Sequence, residues 1–348
     1  MKKLFFLLPA LLFFSSCWER HKYETGHFPD SVMSFDDVNT EFDDYNSTAP
    51  YIYYHQLFHF SSNRKSQGNN FDIVGEKMYI DWSKTKGTLF IGKDLEDDRF
   101  DYLMPMFDSI NTTCNELGPY SLGYREDISS SEVRWTDIIM YANDCEGDFD
   151  LKFICCEMLN TSANTSVNIG SPCEISLINT EANEQYPSFY GTDFYNTDVW
   201  GIDPGKIEKL IFCSDRNGNF NIYEIDLPSG DDITHVLSYE ILTEPVVMPI
   251  NSDSDDKCPF ANGKLLVFTS NRPGGYGGFD LYYSRRENGS WSAPVNFGNK
   301  INTAYNEYRP VTLYYNEFNN NLMIFSSDRP GGKGGYDLYY VGIKQMIR

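Results

Sequence analysis

One hairpin is written five times along this chain, and that repetition restricts the fold more than any other feature. "FSSDRPGGKGGYDLYYV" starts at Phe325 and "FTSNRPGGYGGFDLYYS" at Phe268. Looser copies are "FCSDRNGNFNIYEI" from Phe212, "YANDCEGDFDL" from Tyr141 and "FSSNRKSQGNNFDI" from Phe60. In each, an apolar strand meets a polar corner, a turn rich in Gly or Asn follows, and an aromatic-Asp or aromatic-Asn pair opens the next strand. Gly-Gly pairs supply the positive φ that tight turns need.

A second motif alternates with the first. "INTTCNELGP" at Ile110, "INTEANEQYP" at Ile178, "INSDSDDKCP" at Ile250 and "INTAYNEYRP" at Ile301 fit one pattern without gaps. "VNTEFDDYNSTAP" at Val38 fits it with three extra residues before Pro50. A repeated antiparallel unit of about 40–50 residues is a propeller blade. The expected fold is therefore all-β: a five-bladed β-propeller of four-stranded antiparallel blades, one domain over residues 27–348. The chain stops after a third strand, and "HFPDSVMSFDDVN" resembles the fourth-strand segment "SWSAPVNFGNKIN". Residues 27–36 are expected to close the last blade. Uneven repeat spacing places long loops near 83–100, 158–175, 189–206 and 228–245.

The repeats assign structural roles. Asp72, Asp150, Asp280 and Asp337 open third strands, where they can accept hydrogen bonds from turn amides or from the corner arginines Arg64, Arg216, Arg272 and Arg329. Cys145 stands at the corner of the second unit, which must close without that ion pair. Glu116, Glu184, Asp256 and Glu307 recur in one slot of the crossover motif. A catalytic pair should break repeat symmetry, so these acids are read as ties between blades.

Outside the repeats, "MKKLFFLLPALLFFSSC" has a charged start, an apolar run and small residues before Cys17. This reads as a lipoprotein signal peptide over 1–16 and a lipidated tether over 17–26, with membrane lipid as partner through acylated Cys17. A plain secretory leader with a chance Cys is the alternative. Seven further cysteines, at 114, 145, 155, 156, 173, 213 and 258, cannot all pair internally. They are expected to be mostly buried thiols, with room for one disulfide. A formal charge of −22 disfavours nucleic acid as a partner.

Catalytic signals are sparse. His55 and His59 share a strand face about 13 Å apart at ~3.3 Å per residue, too far to chelate one ion. Asp215, Asn217, Asn219 and Glu224 have a calcium-loop-like spacing, but Gly218 falls at the wrong place and a turn suffices. Asp193 and Asp198 are irregular acids without a specific pattern. No cofactor or metal is expected. Tyr186, Phe189, Tyr190, Phe194, Tyr195 and Trp200, in "YPSFYGTDFYNTDVWGIDP", are read as a loop offering a partner surface.

The hairpins at 268 and 325, with "INTAYNEYRP", resemble the PD40 (WD40-like) repeats of TolB-type propellers, and the likeness extends over about 27–343. That resemblance implies an outer-membrane lipoprotein, and the basic residues after Cys17 lean towards the periplasmic leaflet. It implies a non-catalytic interaction scaffold among envelope proteins, helping to assemble, export or stabilise outer-membrane proteins. The alternative is a propeller that binds or hydrolyses glycan with funnel carboxylates.

Overall fold

The computed structural model describes residues 22–94, 98–176, 178–198, 200, 202–228, 232–238 and 243–348. The leader and Cys17 lie outside them. Strand β1 (Met33–Ser34) precedes the first blade, which is β2 (Asp44–Thr48), β3 (His55–Ser62), β4 (Asp72–Ser83) and β5 (Thr88–Lys93). Helix α1 (Met104–Ile110) leads to blade 2: β6 (Glu116–Ser129), β7 (Glu132–Asn143), β8 (Asp150–Thr161), β9 (Thr165–Ile169) and β10 (Cys173–Glu174). Blade 3 is β11 (Glu184–Tyr190), β12 (Lys209–Ser214) and β13 (Asn221–Asp226), then helix α2 (Ile233–Val236) and β14 (Val246–Val247). Blade 4 is β15 (Asp256–Asn262), β16 (Leu265–Ser270), β17 (Asp280–Glu287), β18 (Ser290–Trp291) and β19 (Val295–Asn296). Blade 5 is β20 (Glu307–Leu313), β21 (Asn321–Ser327) and β22 (Asp337–Ile343), completed by β1.

This is the expected five-bladed antiparallel propeller, closed as expected, with Met33 opposite Tyr340 on β22. β1 covers the edge that β22 would otherwise expose and ties the two ends of the ring together. Second strands are buried on both faces because each blade packs between two others, and they therefore read as apolar runs: every residue of β21 is buried.

The crossover motif holds the ring together. Its Asn takes the place of a strand residue beside the previous blade. Asn302 accepts from Leu281 N (2.8 Å) and donates to Leu281 O (3.0 Å). Asn111, Asn179 and Asn251 do the same to Ile73, Leu151 and Ile222. Asn39 clamps Leu338, joining blade 1 to blade 5.

The innermost strands share a bulge two residues after the motif acid. Asn46, Gly118, Tyr186, Cys258 and Arg309 all have left-handed backbones, with φ from 47° to 58°. A Pro follows four of them and Ser47 follows the first. The motif's Pro therefore sits inside the strand and does not end the crossover. The first copy has no inserted residues either: Asp44 fills the acid slot and Ser47 the Pro slot. These residues fill the central channel. The Tyr186 ring occupies the space a side chain at Gly118 would need. Arg309, fully buried, donates to Pro259 O and Pro119 O, both at 3.1 Å.

Two differences from the sequence reading concern loops. Blade 2 owes its extra length largely to long strands, with β6 at 14 residues and β7 and β8 at 12. The segment before it contains the unanticipated α1, whose Met106, Phe107 and Ile110 are buried. The hairpins and crossovers lie on one side of the disc, the hairpin face. The turns joining first to second and third to fourth strands form the other, the turn face.

Candidate functional site

The repeated acids are locked away. Asp44, Glu116, Glu184, Asp256 and Glu307 are fully buried at the starts of the innermost strands. Each lies opposite the last residue of the second strand (Asp44 beside Ser62, Glu307 beside Ser327). The corner Arg, two residues beyond that Ser, folds back onto the acid. Arg64 reaches Asp44 at 2.7 Å, Arg216 reaches Glu184 at 2.9 Å, Arg272 reaches Asp256 at 2.5 Å and Arg329 reaches Glu307 at 3.0 Å. Each guanidinium also donates to a crossover carbonyl, that of Val38, Ile178, Ile250 or Ile301. The corner Arg thus serves the ring acid, not the Asp that opens the third strand.

Those hairpin aspartates act locally. Asp280 accepts from Tyr276 N (2.7 Å) and Gly277 N (3.0 Å), and Asp337 from Lys333 N (2.8 Å) and Gly334 N (3.2 Å). Burial raises the Asp72 carboxyl, and burial with neighbouring Asp148 and Glu174 pushes Asp150 up to about 6. Blade 2 replaces its missing Arg twice over. Asn143 donates to Glu116 at 2.8 Å, and Cys145 forms a disulfide with Cys114 of the crossover. Without a cationic partner, Glu116 is raised by burial despite hydrogen bonds from Thr112 and Asn143.

The supposed aromatic surface also turns inward. Tyr186, Phe189 and Tyr190 belong to strand β11 and are buried, as is Phe194. Residues 194–197 run beneath the channel as a stopper. Asn196 N donates to Asn262 Oδ1 (2.9 Å), Asn196 O receives Tyr314 N (3.3 Å), and Thr197 O receives Ile52 N (3.0 Å). This joins blade 3 to blades 4, 5 and 1. Tyr195 is half-buried, with the Arg348 guanidinium 5.3 Å from its ring centre. Of the six aromatics only Trp200 is exposed, at 63%.

Trp200 marks the site that remains. The long β6–β7 hairpin rises past the ring on the turn face and meets the β11–β12 and β13–β14 connections of blade 3. Between them lies a cleft of about 610 Å³. Its floor is apolar, from Tyr124, Ile202, Ile207 and Leu227, and Glu126, Asp203 and Asp232 place carboxylates along it. The Trp200 ring is braced beside it, 5.0 Å from the Arg125 guanidinium and 6.3 Å from the Trp135 ring. Arg125 is itself paired with Asp127. Hydrogen bonds from the Thr234 hydroxyl and amide hold the Asp232 carboxyl below its usual range although burial opposes them. An ionised acceptor, an apolar floor and an open indole suit a ligand with hydroxyls and a non-polar face. None of these residues recurs between repeats. The one available sequence signal was the run "SLGYREDISSSEVRWTDIIM", too long for an ordinary blade hairpin.

A second cluster lies between blades 1 and 2. His59 and Asp137 line a void of about 10 Å³ with Ser121 and Phe107. Burial lowers His59 to about 3, and neither ring nitrogen has a hydrogen-bond partner among the described residues. Burial pushes Asp137 up to about 7, opposed by a hydrogen bond from Tyr102 Oη at 3.0 Å. His55, on the same strand, is bonded to Asp94.

No family model matches this chain, and no curated protein matches it. Among solved structures it is similar to an exo-β-1,3-galactanase from Clostridium thermocellum, with 11% identity, 90% of this chain and 62% of that one covered, and a TM-score of 0.43. It spans about three fifths of that enzyme. It is also similar to a GH62 hydrolase in complex with xylotriose, at 11% identity, 92% and 98% coverage and a TM-score of 0.48. An α-L-arabinofuranosidase from Lactobacillus brevis gives 10% identity, 89% and 94% coverage and 0.42. No family model supports the PD40 resemblance, so that assignment is corrected, together with the envelope-scaffold function that followed from it.

Proposed function

We propose that this propeller recognises glycan, and that the cleft between blades 2 and 3 is where it does so. One observation carries the reading: an exposed, braced Trp200 beside an apolar-floored cleft bearing three carboxylates. Sugar rings present C–H faces that stack on indole and hydroxyls that donate to carboxylates. Hydrolysis by the ring acids would need a protonated acid facing an ionised base or nucleophile. All five ring acids are instead buried and tied to Arg, Asn, Ser or Thr. Binding is therefore the activity proposed. We further propose that the protein is exported and held to a membrane by lipid on Cys17.

Titration calorimetry with short neutral oligosaccharides, beginning with xylotriose, tests the reading. Trp200→Ala should weaken binding about tenfold, equivalent to roughly 1.4 kcal/mol. Unchanged affinity in that variant would reject the cleft, and release of reducing ends from the same sugars would replace binding by hydrolysis.

A further inference from the structure

We infer that the cleft faces the membrane that anchors the chain, and that its ligands are neutral saccharides displayed on that membrane. This rests on the glycan reading above and on acylation of Cys17. Tyr23 N bonds Lys84 O (2.9 Å) in the β4–β5 turn, and Gly26 N bonds Glu317 O (2.7 Å) in the β20–β21 turn. Lys84 and Glu317 are themselves paired at 2.8 Å. Downstream, Phe28 is fully buried, stacked on Phe318 with ring centres 3.9 Å apart. The chain is thus pinned to the turn face between Tyr23 and Phe28, and the cleft opens on that same face.

The tether is too short to turn the disc over. From Cys17 to Tyr23 the chain advances six residues, a fully extended reach of about 20 Å. A seven-residue strand such as β20 is about 23 Å tall. To lay the hairpin face on the membrane, the tether would have to span that height and also pass round the rim of a blade. It cannot, so the turn face is held within a tether's length of the lipid. Glu126, Asp203 and Asp232 repel anionic sugars and phosphates, and Arg125, which also lines the cleft, is engaged by Asp127. Uncharged, hydroxyl-rich headgroups fit.

The test uses full-length acylated protein in phosphatidylethanolamine–phosphatidylglycerol vesicles containing a nitroxide-headgroup lipid. A fluorophore is placed at Ile128→Cys, on the blade 2 hairpin, or at Tyr276→Cys, on the hairpin face, in a Cys173→Ser background. Quenching should be severalfold stronger at 128, and equal or reversed quenching overturns the orientation. Next, an oligosaccharide that binds in solution is coupled to lipid in the same vesicles. It should displace a dye-labelled free copy, and undiminished capture of the free sugar overturns membrane-displayed ligands while leaving glycan recognition standing. If no oligosaccharide binds in solution, the glycan reading itself falls, and the quenching result still judges the orientation.

Discussion

The two faces of this disc are built by opposite rules. On the hairpin face each blade repeats one arrangement: a crossover acid, a Ser, Thr or Asn donor, and in four blades a corner Arg. On the turn face no two blades agree, and the cleft draws on residues that occur once. Repetition there serves closure, whereas asymmetry marks the place where a ligand can be distinguished. The contrast predicts that substitutions on the hairpin face cost stability and those around Trp200 cost binding.

The largest effect should come from removing a ring acid. Glu307→Ala leaves Arg329 without its partner at the ring closure and should destabilise by about 3–5 kcal/mol, read by urea unfolding. A loss within error would deny the acids their structural role. Breaking the Cys114–Cys145 link should cost about 2–4 kcal/mol. Cys145→Arg with Cys114→Ala should recover part of that loss, because Arg at 145 can reach Glu116 as its counterparts do in the other blades. No recovery would mean that blade 2 differs from its neighbours in more than this residue.

A smaller, pH-dependent effect should appear between blades 1 and 2. Asp137 stays protonated in the folded protein up to about 7, against an ordinary 3.8, so its contribution to stability falls as pH rises through that window. His59 refuses a proton until about 3, against 6.5, so its contribution falls as pH drops through its own window. The two slopes oppose each other where the windows overlap. Asp137→Asn should therefore expose a loss of stability on acidification below 6.5, and His59→Gln the reverse trend above 3.8. Flat thermal-melt profiles in both variants would contradict this. The smallest effect on stability belongs to Trp200→Ala, within about 0.5 kcal/mol, although it removes the stacking surface for sugar.

What the sequence disclosed follows the same division. Five hairpins and the closing strand were legible because each copy supports the others. Asp44 is hidden as a ring acid in the sequence, because Ser47 stands where other copies have Pro and Pro50 mimics the match. The sequence points the corner Arg only at the hairpin Asp, and the strand register is what shows that the ring acid lies within its reach. Tyr186 and its neighbours read as a loop because aromatic residues suit both a binding surface and a strand core. The cleft was illegible, since Arg125, Asp203 and Asp232 are far apart in the chain and have no repeated counterpart. Helix α1 is not legible in the sequence either. Only packing reveals why its Phe107 lies over Gly75, where a side chain would meet the ring at 2.6 Å.

Arg309 has a consequence for how the molecule is assembled. It is supplied by the last blade, yet the carbonyls it grips belong to the second and fourth. Until synthesis has passed it, the inner edges of the earlier sheets have no keystone to converge on. A solenoid can grow repeat by repeat, each resting on its neighbour. This ring should instead lock late and as a whole, and a nascent chain halted before residue 309 should be as open to protease as an unfolded one.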